Sequence, residues 1–146
     1  MTTRTPLPLR IVLIAPPPGV AYGIQRGAGN DYDVMFTQTP KHGDVVFDFD
    51  IDVAEGKNGA PNFLGEYAQG KVGRRFIYVD VGRYAKVHDT WARRMIVRLD
   101  DVTWPLIQKA VKPGKRLEAR VPGTHADGGP TCATVEILGG WSVVAE

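Results

Sequence analysis

Residues 44–53, Asp-Val-Val-Phe-Asp-Phe-Asp-Ile-Asp-Val, constrain the fold more than any other stretch of the chain. Val45, Phe47, Phe49, Ile51 and Val53 alternate with Asp48, Asp50 and Asp52. A period of two puts the apolar set on one face of a strand and the carboxylates on the other, whereas a helix would scatter both sets around its surface. Such a strand is half buried and antiparallel, so the chain must build a sheet with one dry face. The carboxylates stand about 7 Å apart along it. They read either as a calcium-type cation site or as a charged face matched across the ladder. Arg94, Arg98, Arg116 and Arg120 are the candidates for matching. A straight strand brings few oxygens onto one ion, which favours the second reading.

The rest of the chain divides into similar pieces. Strand patterns cover residues 9–15, 20–25, 34–38, 74–82, 93–99, 115–121, 131–138 and 141–145. Seventeen glycines and 11 prolines in 146 residues supply the turns that many short strands need. Residues 102–111 form the one helical pattern, with Thr103 before Trp104-Pro105 and a Lys-Pro-Gly stop at 112–114. Trp104, Ile107, Ala110 and Val111 make its apolar side. The expectation is an all-β fold of about eight mostly antiparallel strands, barrel or sandwich, with one short α-helix plugging an end. Residues 1–7 are expected to be a flexible N-terminus and 8–146 a single domain. The patterns at 115–121 and 131–138 suggest a hairpin.

Eighteen basic against 16 acidic residues give a net charge of +2, so no global bias draws the chain to nucleic acid or anionic membrane. Cys132 is the only cysteine, which excludes an internal disulfide and fits a reducing compartment. Residues 7–15 have a signal-like apolar core, but Pro8 and Arg10 interrupt it. No apolar run approaches the roughly 20 residues of a membrane helix. A cytoplasmic protein without a membrane partner is expected.

Residues 54–73 form a long connection with five glycines, Gly56, Gly59, Gly65, Gly70 and Gly73. So long a segment either carries function or hides short elements, and Phe63-Leu64 and Tyr67-Ala68 are too apolar for a free linker. It runs into residues 74–82, where Ile77, Val79 and Val81 alternate with Phe76, Tyr78 and Asp80, a pattern for a strand near the middle of a sheet. The candidate ligand-binding surface takes Asn62, Phe63, Tyr67 and Gln69 from the connection, Tyr78 and Asp80 from the strand, Trp91 from just before the next strand and Arg94 from that strand. Aromatic area with a few polar groups is how a binding site gains affinity and orientation. Asn62 and Gln69 either orient a ligand or tie down the backbone of their own loop. The expected function is a non-catalytic domain binding a small molecule or a partner segment. No cofactor motif is present: Gly27-Ala-Gly29 lacks the third glycine of a dinucleotide fingerprint.

Two other functions draw on the same residues. An enzyme could use Asp80 or Asp89 with His88 or His125 in acid–base work, although no nucleophile elbow, phosphate loop or metal spacing supports it. His125-Ala-Asp127 lies in a turn-forming stretch with no third ligand. Single-stranded nucleic acid could bind through Arg74-Arg75, Arg93-Arg94 and nearby aromatics, against which stand the modest charge and the aspartate face. The doublets open their strands. Antiparallel pairing would hold them at opposite ends, and parallel pairing would gather them into an anion site.

Five motifs together carry a resemblance. They are Pro-Pro-Pro-Gly at 16–19, Asn-Phe-Leu-Gly at 62–65, Arg-Phe-Ile-Tyr-Val-Asp-Val-Gly at 75–82, Trp-Ala-Arg-Arg at 91–94 and Arg-Val-Pro-Gly-Thr at 120–124. Through them the chain resembles a bacterial domain-of-unknown-function family, number 5990. The resemblance spans nearly the whole chain, implies one domain, and brings no activity with it.

Overall fold

A computed structural model describes residues 4–27, 32–71, 74–82, 91–123 and 135–146, the side chains of residues 71, 91–93 and 135 excepted. Its strands form two mixed sheets, and neither closes into a barrel, so the fold is sandwich-like and mostly β. The first sheet runs β11 (Ser142–Ala145), β9 (Lys115–Pro122), β1 (Thr5–Ile14), β4 (Val45–Glu55), β5 (Pro61–Leu64). The second runs β10 (Val135–Leu138), β8 (Trp91–Arg98), β7 (Arg74–Gly82), β2 (Ala21–Arg26), β3 (Asp33–Gln38). A three-residue strand, β6 (Gln69–Lys71), pairs with the start of β7 beyond the reach of β2. Pairing is antiparallel except for β1 with β9 and β8 with β10.

β4 forms as its alternation requires, with Val45, Phe47, Phe49, Ile51 and Val53 all buried. Across the sandwich Ile77, Val79 and Val81 of β7 close the same apolar cluster. Each such side chain contributes about 1.5–3 kcal/mol by leaving water, so period-two patterning suffices to hold two sheets face to face. β7 has β8 on one side and β2 and β6 on the other, the central place its doubly occupied faces suggested.

β1 begins at Thr5, earlier than the alternation indicates, because Leu7 is fully buried and Thr5–Leu7 pair with Ile51–Val53. β9 joins β1 only from Leu9 onward. Pro6 and Pro8 therefore lie where β1 has a neighbour on one side alone, the position a strand proline tolerates.

The hairpin expected between residues 115–121 and 131–138 does not form. β9 belongs to the first sheet and β10 to the second, each laid parallel to a distant strand. Asp-Gly-Gly at 127–129 is a turn signal in the sequence, but such a signal does not choose a strand's partner. Residues 124–134, with His125, Asp127 and Cys132, lie outside the described residues.

The long connection hides short elements, as its apolar pairs implied: a 3-10 turn at Lys57–Gly59, then β5 and β6. The helix α1 (Trp104–Ala110) has Thr103 as its N-cap, whose hydroxyl accepts from the Leu106 N–H. Ile107 and Ala110 are buried, and α1 packs against β9, β11 and β1. No helix among the described residues is long and apolar enough to cross a membrane.

Candidate ligand-binding site

Among the described residues, charge answers the aspartate face of β4 at Asp48 alone, chiefly from β1, a strand not among the candidates, and also from the candidate Arg116. Arg10 of β1 stands opposite Asp48 and donates to both its oxygens, at 2.7 and 3.1 Å. That bond holds the Asp48 carboxyl below its ordinary value of 3.8. Arg116 reaches Asp48 at 4.0 Å and Arg120 reaches Asp44 at 3.9 Å. Arg94 and Arg98 lie in the other sheet and cannot serve. Pro8 and Pro6 stand opposite Asp50 and Asp52. Among the described residues no group of three His, Cys, Asp or Glu side chains could hold a metal ion.

On the outer face of the second sheet the structure gathers Tyr78, Asp80 and Arg94. β7 and β8 pair antiparallel with Asp80 opposite Arg94, so the arginine doublets sit at opposite ends and do not converge. Arg94 Nε donates to Asp80 Oδ1 at 3.0 Å, its Nη2 donates to Gln25 Oε1 at 2.5 Å, and its guanidinium lies 4.3 Å from the Tyr78 ring centroid. Asp80 is 1% exposed, and its Oδ2 has no hydrogen-bond partner. Burial pushes the Asp80 carboxyl above 3.8, and Arg94 pulls it partway back by hydrogen bond and charge. Gly23 stands opposite Asp80, and a Cβ there would collide with Val34 Cγ1, so β3 is folded close over this part of β2. The cluster is thus a packed polar joint. The Trp91 side chain lies outside the described residues.

Gln69 answers the question left open for it. It is 4% exposed and donates through Nε2 to the carbonyls of Glu66, at 3.0 Å, and Gln25, at 3.4 Å. It ties the connection to β2. Tyr67 belongs to an aromatic group at another edge, 5.3 Å from Phe49 and 5.9 Å from Phe36. Phe36 is a residue sequence reasoning missed. The β2–β3 register slips between Tyr22 and Ile24, and Phe36, within the slip, takes a left-handed φ of 59°. That conformation is strained for a large side chain and is held here by the two stacked rings. Tyr67 also borders a cavity of about 280 Å³ with Asp50, Asp52 and Arg26, but Arg26 is neutralised there by Asp33 and Glu66, at 3.0 and 3.3 Å.

Asn62 and Phe63 line a different cavity, of about 160 Å³, at the end of the sandwich. Three segments build it: Ala60 and Pro61 beside them, Leu99, Asp100 and Val102 after β8, and Arg75 at the start of β7. Arg75 shares the parity of Ile77, Val79 and Val81, so its side chain enters between the sheets where the core ends. Its Nη1 donates to the Gly70 carbonyl at 2.8 Å and the Ala68 carbonyl at 3.5 Å. Its Nε is buried without a partner, and no carboxylate among the described residues pairs with it. Asp100 lines the same cavity, but its carboxylate accepts from Arg98 Nε at 2.9 Å and from Nη2. The cavity therefore faces a cation that no carboxylate among the described residues answers.

The sites proposed from sequence thus separate into Tyr78–Asp80–Arg94 on an outer face, Asn62–Phe63 in the end cavity, and Tyr67 and Gln69 in structural contacts. Arg75 was missed as a site residue. The signal was available in its odd position, but the doublet Arg74-Arg75 invites a reading as surface charge.

Comparison with known proteins adds a family and nothing finer. Residues 7–144 match the model of DUF5990, a family of unknown function. The chain belongs to DUF5990. No curated protein and no solved structure matches this DUF5990 chain.

Proposed function

We propose that this DUF5990 chain is a non-catalytic binding domain that takes a small polar ligand in the cavity between β5, the start of β7 and the segment after β8. The buried, partnerless Nε–H of Arg75 carries this reading. A buried donor left unpaired costs about 1–3 kcal/mol, and a ligand acceptor that the Arg75 side chain shifts to meet in the adjoining cavity removes that cost. The lining suits binding more than chemistry. Arginine does not release its proton, Asp100 is held by Arg98, and Asn62 can only donate or accept hydrogen bonds. The lone cysteine fits a reducing, cytoplasmic setting, and the resemblance noted above implies a bacterial one.

The test is a screen of neutral, acidic and basic small molecules against the ¹⁵N-labelled chain. A binder is expected to move the amide signals of residues 60–63 and 99–102 and to raise the melting temperature. Ala60→Phe, at an exposed position on the cavity wall, should abolish both effects. Binders that move other signals only, or a panel with no binder, would overturn the proposal.

A further inference from the structure

Resting on that reading of the cavity, we infer that its ligand is a small monocarboxylate. Arg75 presents a planar guanidinium with Nη1 spent on the Gly70 and Ala68 carbonyls and with Nε still unpaired. Such a fork matches the two oxygens of a carboxylate better than any single neutral acceptor. Among the lining groups Asp100 is paired with Arg98, which leaves Arg75 as the lining cation with no carboxylate partner among the described residues, and a single negative charge answers it. A phosphate dianion would bring a second charge close to Asp100. The Asn62 side chain makes no hydrogen bond among the described residues and lines the same cavity, so its amide is available to a carboxylate oxygen. The remaining wall is apolar, from Ala60, Pro61, Phe63, Leu99 and Val102, and about 160 Å³ admits a compact hydrocarbon body behind the carboxylate. A long acyl chain or a nucleotide does not fit.

Propionate and propionamide have nearly the same shape and differ in charge, so titrating each into the ¹⁵N-labelled chain isolates the carboxylate. Propionate should give saturable shifts at residues 60–63 and 99–102, with propionamide weaker by about tenfold or more, the effect of one charge-assisted bond. Arg75→Gln should bring propionate down to the level of the amide, while Ala60→Phe, which leaves Arg75 in place, should abolish binding of both. Should Arg75→Gln fail to fold, the acid-to-amide ratio on the unaltered chain and the Ala60→Phe result decide. Equal binding of acid and amide, or undiminished propionate binding to Arg75→Gln, overturns the carboxylate while leaving the cavity as a binding site. Shifts by neither molecule at those residues overturn the carboxylate, and a failure of the wider screen then overturns the binding reading itself.

Discussion

Two aspartates show how the environment of a single residue sets the sign of its effect on stability. Asp80 is buried with its carboxyl raised above 3.8, so the folded chain holds that proton more tightly than the unfolded one. Its titration favours the fold below pH 3.8, and the contribution is lost as pH rises through the folded-state value. Asp48 is lowered by Arg10, so its contribution is present above 3.8 and lost as pH falls through the folded-state value. Urea unfolding between about pH 3 and about pH 7 should therefore show Asp80→Asn gaining stability relative to the unaltered chain as pH rises, and Asp48→Asn losing it. The Asp48 effect should be about 0.2–1 kcal/mol, since the pair is partly exposed. Removing the other partner is a different experiment. Arg94→Leu strands a buried carboxylate and should cost about 3–5 kcal/mol at neutral pH, much of which Asp80→Leu in the same chain should restore. Coupling near zero in that double-mutant cycle would show that the pair is not the joint of the second sheet.

Short elements, more than the long strands, position the cavity. β6 is three residues long, and at its centre Gly70 has a φ of 91°. A Cβ there would collide with the Arg74 carbonyl and press on the Phe76 ring, while the Gly70 carbonyl is what anchors Arg75. Gly70→Ala should cost more than about 1 kcal/mol and release the Arg75 side chain with β6. Hydrogen exchange at residues 69–71, measured with the melting curve, checks both effects. Thr103→Ala removes the cap of α1 and should cost about 1 kcal/mol by the same curve, without changing the cavity.

For the molecule as a whole, what could be read from sequence tracks the range over which each feature is determined. β4 and β7 were legible because period-two alternation is local and both strands are buried on one face. The apolar pairs in residues 54–73 signalled hidden elements, and β5 and β6 are those elements. Partner choice was not legible: β9 lies parallel to β1, more than a hundred residues earlier, and no local signal encodes that pairing. The same limit hid Arg10, whose place opposite Asp48 follows from the β1–β4 register. Half of the candidate site suffered likewise. Asn62 and Phe63 were drawn from an apolar loop and line the end cavity, but their neighbour across it, Arg75, becomes visible beside them only when the sandwich ends there. Arg94 looked available from its charge, yet its charge is answered by Asp80.

Arg75 Nε–H is buried and unpaired, and the proposed ligand supplies its acceptor. The side-chain Nε–H resonance of Arg75, assigned by its loss in Arg75→Gln or Arg75→Lys, reads this directly. On addition of propionate it should move downfield and exchange more slowly with water, as a new charge-assisted hydrogen bond requires. An Arg75 Nε–H signal that stays in place while saturating propionate shifts other parts of the chain would contradict the account.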